Sequence, residues 1–167
     1  MRNVILCCMA IFLLMSCKKE HTSNVEIYML TSFSVDIDQT TYPATLTISD
    51  PILDEKPLVA DRDIIYYEKS STTFWLRNDI KPLIKDYGAN KGFAITVDKK
   101  PVYFGIFYPL YLSSIPFGLA TISPLISGSN DLQINFSMID GSSDLQQLDK
   151  RNDPTLLNAL KESNRLK

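Results

Sequence analysis

Histidine and cysteine are nearly missing from this chain. One histidine, His21, and three cysteines, Cys7, Cys8 and Cys17, occur in 167 residues, all of them at the extreme N-terminal end. A serine or cysteine nucleophile needs a base beside it, usually a histidine oriented by a third group. With His21 as the sole imidazole, a hydrolytic triad in the body of the chain would have to reach back to the first 21 residues. Zinc is excluded by the same shortage, since structural and catalytic zinc sites are built from histidine and thiolate. The six glycines form no phosphate-binding loop. A formal net charge of -2 with no basic patch gives nucleic-acid binding no electrostatic support. Long hydrophobic runs are missing too. The uncharged run over 4–15 is only about a dozen residues, and a membrane helix needs about 20. Residues 101–130 carry no charge, but Pro101, Pro109, Pro116 and Pro124 recur through them, which no spanning helix tolerates.

What is present at the N-terminus is an address. Arg2, a short apolar stretch and the small residue Ser16 describe a secretory signal peptide over 1–16. Leu14-Met15-Ser16-Cys17 looks like a lipobox, in which Cys17 is acylated on sulfur and becomes the mature N-terminus. Cys7 and Cys8 leave with the signal, so the mature chain has no second cysteine for an intramolecular disulfide. An exported domain of this kind is held by its core alone. A mature lipoprotein carries two or three acyl chains, and stable anchoring needs at least two such hydrophobic signals. Residues 17–24 form a short polar tether that keeps the domain close to the bilayer. Lys18 follows the cysteine, where an aspartate would favour the inner membrane, so the outer membrane is the expected address.

Residues 25–167 read as one α+β domain with a mostly antiparallel sheet and two helices packed on one face. Apolar residues alternate from Val25 through Ile37, again over Tyr42, Ala44, Leu46 and Ile48, and again over Thr72, Phe74 and Leu76. Residues 50–57 hold two prolines and three carboxylates, which predicts a loop. Asn78 predicts the N-cap of a helix carrying Ile80, Leu83, Ile84 and Tyr87 and closed by Gly88. Phe93, Ile95 and Val97 lead through the turn Asp98-Lys99-Lys100 into residues 101–107, apolar on both faces and therefore a central strand. A short strand is expected over 119–122, and a last alternating strand through Leu132, Ile134, Phe136 and Met138. Residues 141–147 read as loop. Asp153-Pro154 opens a final helix whose core face is Leu156, Leu157 and Leu160.

Several segments resemble a family of small exported bacterial lipoproteins. They are Leu53-Asp54-Glu55-Lys56-Pro57-Leu58 with Asp61-Arg62-Asp63-Ile64, then residues 92–98 with 101–107 and Ser113-Ser114, and finally Asp149-Lys150-Arg151-Asn152-Asp153-Pro154 with Leu157, Ala159, Leu160 and Lys161. Those proteins are related to the head subdomain of the first periplasmic domain of SecD, the protein-export subunit. The resemblance covers residues 26–167. It implies contact with polypeptide at the envelope. SecD itself works through membrane helices and a proton path, which this chain lacks, so the resemblance does not imply a translocase motor.

Candidate chemistry is thin. Asp36 and Asp38 share a strand face, and Asp61 and Asp63 are equally close in sequence. Paired carboxylates can hold calcium or flank a glycosidic bond. Without further oxygen ligands they read as solvated charge and turn caps. No catalytic residue, metal ligand or cofactor is assigned. The unusual stretch is 108–117, aromatic, proline-rich and uncharged. Either it folds over the sheet as core, or it is exposed and marks a protein, peptide or membrane contact. Under the second reading Tyr108, Tyr111, Ile115 and Phe117 carry the contact, with Trp75 available from another strand. The leading expectation is a non-enzymatic envelope lipoprotein held in the bilayer by acylated Cys17 and binding a protein or peptide. The alternative is a carbohydrate or small-ligand module using Trp75 and the tyrosines.

Overall fold

A computed structural model describes residues 23–109, 111–125, 130–139 and 142–167. The expected signal peptide, Cys17 and the expected tether up to residue 22 lie outside the described residues. The alternation that opens at Val25 becomes β1 (Val25–Asp38), which pairs antiparallel with β2 (Thr45–Val59) and, over its first six residues, with β5 (Gly92–Val97). β5 leads into β6 (Lys100–Phe107), whose neighbour β7 (Ala120–Ile122) runs parallel to it, and β9 (Asn135–Phe136) closes the row. The six-stranded order is β2-β1-β5-β6-β7-β9. A second sheet holds β3 (Ile64–Glu68), β4 (Thr73–Leu76) and β8 (Asp131–Gln133) in that order. Among the described residues the α-helices are α1 (Lys81–Ile84), α2 (Ser143–Leu148) and α3 (Pro154–Glu162). The class is α+β and the named strand pairings are antiparallel except β6–β7.

Both sheets contribute to one core. Phe93, Ile95 and Phe107 from the large sheet meet Tyr67, Phe74 and Leu132 from the small one, together with Ile80 and Ile84 of the α1 region. α3 adds Leu156, Ala159 and Leu160 and lies against β1 and β5. Its start is as expected: Asp153 caps it by accepting from the Thr155 N–H at 2.8 Å, with Pro154 at the first turn. The β5–β6 turn puts Asp98 and Lys99 at φ of 50° and 63°, the tight turn whose twist matches a hairpin.

Beyond Leu30, where β5 ends, β1 and β2 continue as a two-stranded arm. The arm curls until the Leu46 N–H, on the edge strand, donates to the Phe117 carbonyl at 2.8 Å. By register, the opposite face of the large sheet carries Tyr28, Leu30, Ala94, Ile106 and Leu119, all buried. This is why β5 is buried at all six positions.

Four expectations are corrected. Residues 50–57 are strand, not loop: β2 runs on through them with register shifts, and Asp50 takes a φ of 50°. The prolines are tolerated because β2 is an edge strand, and its charges protect that edge. The first helix is one turn, not a run from Asn78 to Gly88. Its N-cap position is Ile80, with no side-chain cap; Asp79, one residue earlier, accepts from Lys81 N–H at 2.8 Å, while Asn78 donates to Asp63 Oδ1 at 2.9 Å. So short a helix is stable only where it packs. Ile80 and Ile84 are buried, and Tyr87 turns its ring edge-on to Phe107 at 5.0 Å. The expected loop over 141–147 holds α2 instead, because Ser142 caps Leu145 N–H and Leu145 is buried. Finally, the last alternating strand is two strands. β8 belongs to the small sheet and β9 to the large one, and Ile134 is the residue between them.

Candidate functional site

Parallel neighbours cannot be joined by a hairpin; they need a crossover of a dozen residues or more. Residues 108–119 are that crossover, between β6 and β7. At its start the Tyr108 N–H donates to the Ile122 carbonyl at 2.8 Å, and the Tyr108 hydroxyl bonds to Ser114, donating to its carbonyl at 2.9 Å and meeting its hydroxyl at short range. Pro109 and Pro116 are buried. At its end Phe117, half-buried, is bridged to Ser137 and accepts from Leu46. Gly118 follows at φ +87°, with the Leu46 carbonyl 2.9 Å from where a Cβ would stand, so no other residue fits that junction comfortably.

Between these pinned ends the loop presents apolar side chains outward. Tyr111 is 73% exposed and Ile115 59%, whereas Tyr108 and Phe117 are anchors that hold the loop down. Leu110 lies outside the described residues. Other exposed apolar residues lie on the elements that meet the loop at Phe117. Ile37, itself exposed, is the β1 partner of Leu46, and Met138 and Ile139, also exposed, follow Ser137. The two readings of 108–117 are thus both partly met: the prolines and Phe117 are structural, and Tyr111 and Ile115 are surface.

Trp75 is elsewhere. It sits on β4 of the small sheet, 37% exposed, and stacks on Tyr66 at 5.6 Å and 20°. Lys167 places its ammonium 3.9 Å from the Tyr66 ring centroid, a cation–π contact. The structure therefore does not join Trp75 to the loop but pairs it with Tyr66, which the alternation Ile65-Tyr66-Tyr67 did not single out.

The carboxylate pairs are turn caps and ties. Asp38 accepts from Thr40 N–H and Oγ1 at 2.8 and 2.6 Å, which lowers its pKa. Asp61 accepts from Val25 N–H at 2.7 Å and from Arg165 at 2.6 Å, fastening the first strand to the C-terminal tail. Among the described residues no cluster of three or more potential metal ligands occurs.

A half-buried polar knot lies where the sheets part. Arg151 forks onto Asp149, Nε to Oδ1 at 2.9 Å and Nη2 to Oδ2 at 2.7 Å, and its Nη1 donates to Thr72 Oγ1 and to the Ile134 carbonyl, both at 3.2 Å. Thr72 Oγ1 also donates to that carbonyl at 2.6 Å, and the Tyr67 hydroxyl donates to the Arg151 carbonyl at 2.9 Å. Burial pushes the phenols of Tyr67 and Tyr103 up, so both stay neutral. Burial alone would raise Asp149 as well, but the Arg151 hydrogen bonds outweigh it and hold the carboxyl below its ordinary range. Every polar contact of this knot goes to the fold itself, so its role is to fasten Ile134 at the sheet-to-sheet crossing.

Compared with known protein families, with curated proteins and with solved structures, the chain matches none.

Proposed function

We propose that this chain is a non-enzymatic lipoprotein of the bacterial envelope, anchored through Cys17 at the outer membrane, whose crossover loop and arm bind a partner polypeptide. The resemblance to the SecD head agrees with a polypeptide as partner. The observation that carries the reading is Tyr111 and Ile115, 73% and 59% exposed on a loop pinned at both ends by hydrogen bonds. Proline and the Tyr108–Ser114 bonds keep such a loop ordered before binding, which lowers the entropy cost of association. Large apolar side chains on a preformed loop are efficient interface anchors, and contiguous exposed apolar surface marks interaction sites.

The test is the double substitution Tyr111→Ser, Ile115→Ser in the full chain. Because both side chains are already largely in water, the melting temperature should fall by no more than about 2 °C. A photo-crosslinker placed at Ser113 should trap one discrete envelope protein in native membranes, and the double variant should abolish that product. A large cooperative loss of stability would instead make the loop part of the core.

The second reading, a carbohydrate module, is favoured by the partly exposed Trp75 ring backed by Tyr66, 5.6 Å between centroids. Trp75 is the only tryptophan in the chain, so its emission reports on that stack alone. Titration with soluble envelope glycans should leave Trp75 emission unchanged if the first reading holds. A saturable shift, lost in Tyr66→Ala, would favour the second.

A further inference from the structure

We propose that the end of the large sheet bearing the Asp98–Lys100 turn rests on phospholipid headgroups, and that the apolar loop is held at the opposite end, facing away from the membrane. The inference rests on the lipid-anchor reading above and adds an orientation and a second contact surface to it.

Six residue steps separate Cys17 from Ser23. A chain spans at most about 3.5 Å per residue, so Ser23 stays within about 20 Å of the acylated sulfur. The next residue is stitched to the hairpin turn: Asn24 N–H donates to Asp98 Oδ1 at 2.9 Å, and Asp98 N–H donates back to the Asn24 carbonyl at 2.8 Å. Val25 N–H is tied to Asp61. The tether therefore delivers the Asp98–Lys100 turn and the Asp61–Asp63 turn to the bilayer together.

Exposed bases at this end are placed to meet phosphate, although acids balance them in number. Lys99, Lys100 and Arg62 are exposed, and their charged groups make no hydrogen bond or ion pair among the described residues. The carboxylates beside them each accept from a protein group but keep their charge, Asp98 from Asn24, Asp61 from Val25 and Arg165, Asp63 from Asn78, and Asp153 from Thr155. Asp98 and Glu162 are the exposed acids there. Basic side chains held near an anionic lipid surface are each attracted to it within a Debye length.

Strand direction places the loop. β6 leaves the turn at Lys100 and runs eight residues to Phe107, where the crossover begins. At about 3.3 Å per residue that is about 25 Å along the sheet, away from the tether. Tyr111 and Ile115 are thus presented to the aqueous side. A partner reaches them from there, and the loop does not serve as a membrane wedge.

The test uses the acylated full chain in vesicles. Asn158→Cys, on α3 at the tether end, and Ser113→Cys, in the loop, each introduce the only free thiol once Cys17 is acylated. Energy transfer from a dye at that thiol to a headgroup-labelled lipid is measured in phosphatidylglycerol-rich and in phosphatidylcholine vesicles. Transfer should be several-fold stronger from residue 158 than from residue 113. Equal transfer, or stronger transfer from 113, overturns the orientation. Combining Lys99→Glu, Lys100→Glu and Arg62→Glu should reduce the contrast on the anionic vesicles while leaving it unchanged on the zwitterionic ones. An unchanged contrast on both overturns the headgroup contact. Mass spectrometry of the starting protein separates the two levels: an unmodified Cys17 overturns the anchor itself, whereas an acylated protein without contrast overturns only the orientation.

Discussion

Replacing Arg151 by alanine is expected to lower the stability of the domain by about 3 kcal/mol, or about 10 °C in melting temperature for a domain of this size. Three acceptors lose the guanidinium at once: the Asp149 carboxylate, which keeps only the backbone N–H of residue 151, Thr72 Oγ1, and the Ile134 carbonyl, which keeps only Thr72. Both charged side chains are 19% exposed, so solvent only partly replaces what is removed. Hydrogen bonds to charged groups contribute about 1.5–3 kcal/mol each when solvent is mostly excluded. The guanidinium also lies 5.7 Å from the Phe136 ring centroid, so packing is lost along with charge. Lysine should recover little, because it cannot fork onto Asp149 while also reaching Ile134. Urea melts of Arg151→Ala and Arg151→Lys measure both effects.

The same ion pair sets an acid limb. The Asp149 pKa is lowered in the folded protein. A group of this kind contributes stability above its unfolded pKa and loses it as the pH falls through the folded value. The native protein should therefore lose stability below about pH 4, the ordinary carboxylate range. In Arg151→Ala the guanidinium bonds and charge are gone and only the backbone N–H of residue 151 still opposes burial at Asp149, so protonation costs less stability and the slope below pH 4 should flatten. Melts from neutral pH down to about pH 3 separate the two slopes. A variant with an unchanged slope would falsify the assignment of the acid limb to this pair.

Gly105→Ala should be at least as damaging, with a loss of about 3 kcal/mol or more. Gly105 sits in β6 opposite Phe93 on one side and Ala120 on the other. A Cβ there would stand 2.3 Å from the Ala120 carbonyl oxygen and 2.3 Å from the Phe93 ring. The ring could move, but the carbonyl belongs to the parallel β6–β7 ladder and cannot retreat without breaking it. Phe93→Leu should therefore fail to rescue Gly105→Ala, and thermal melts of the single and double variants decide the point. Full rescue would mean that the ring alone sets the requirement for glycine.

Much of this architecture was legible from local signals. Period-two alternation marked β1, β4 and β5, the charge-free double-sided run marked β6 as central, and Asp153-Pro154 marked the start of α3. Those signals depend on burial of one face or on a cap, both written into neighbouring residues. The misread segments are those where a distant partner decides. Pro51 and Pro57 argue for a loop until β2 is known to lie at an edge. The run Leu132-Ile134-Phe136 alternates without a break, yet Arg151 and Thr72 seize the Ile134 carbonyl and divide it between two sheets.

The candidate site divides in the same way. Composition alone picked out 108–117 as an unusual apolar connection, and the scarcity of histidine, cysteine and glycine by itself narrowed the chemistry. Which side chains of that stretch face water was beyond composition, because Tyr108, Tyr111 and Phe117 are alike as residues. Tyr108 is held by Ser114 and Phe117 by Leu46, more than sixty residues away, so Tyr111 and Ile115 are left outside. The sequence by itself determined the strand periods, the terminal cap and the apolar character of the connection, because each is a property of near neighbours. Only the tertiary structure decided the sheet order, the parallel crossover and the exposed pair at its tip, because these depend on hydrogen bonds between residues far apart in the chain.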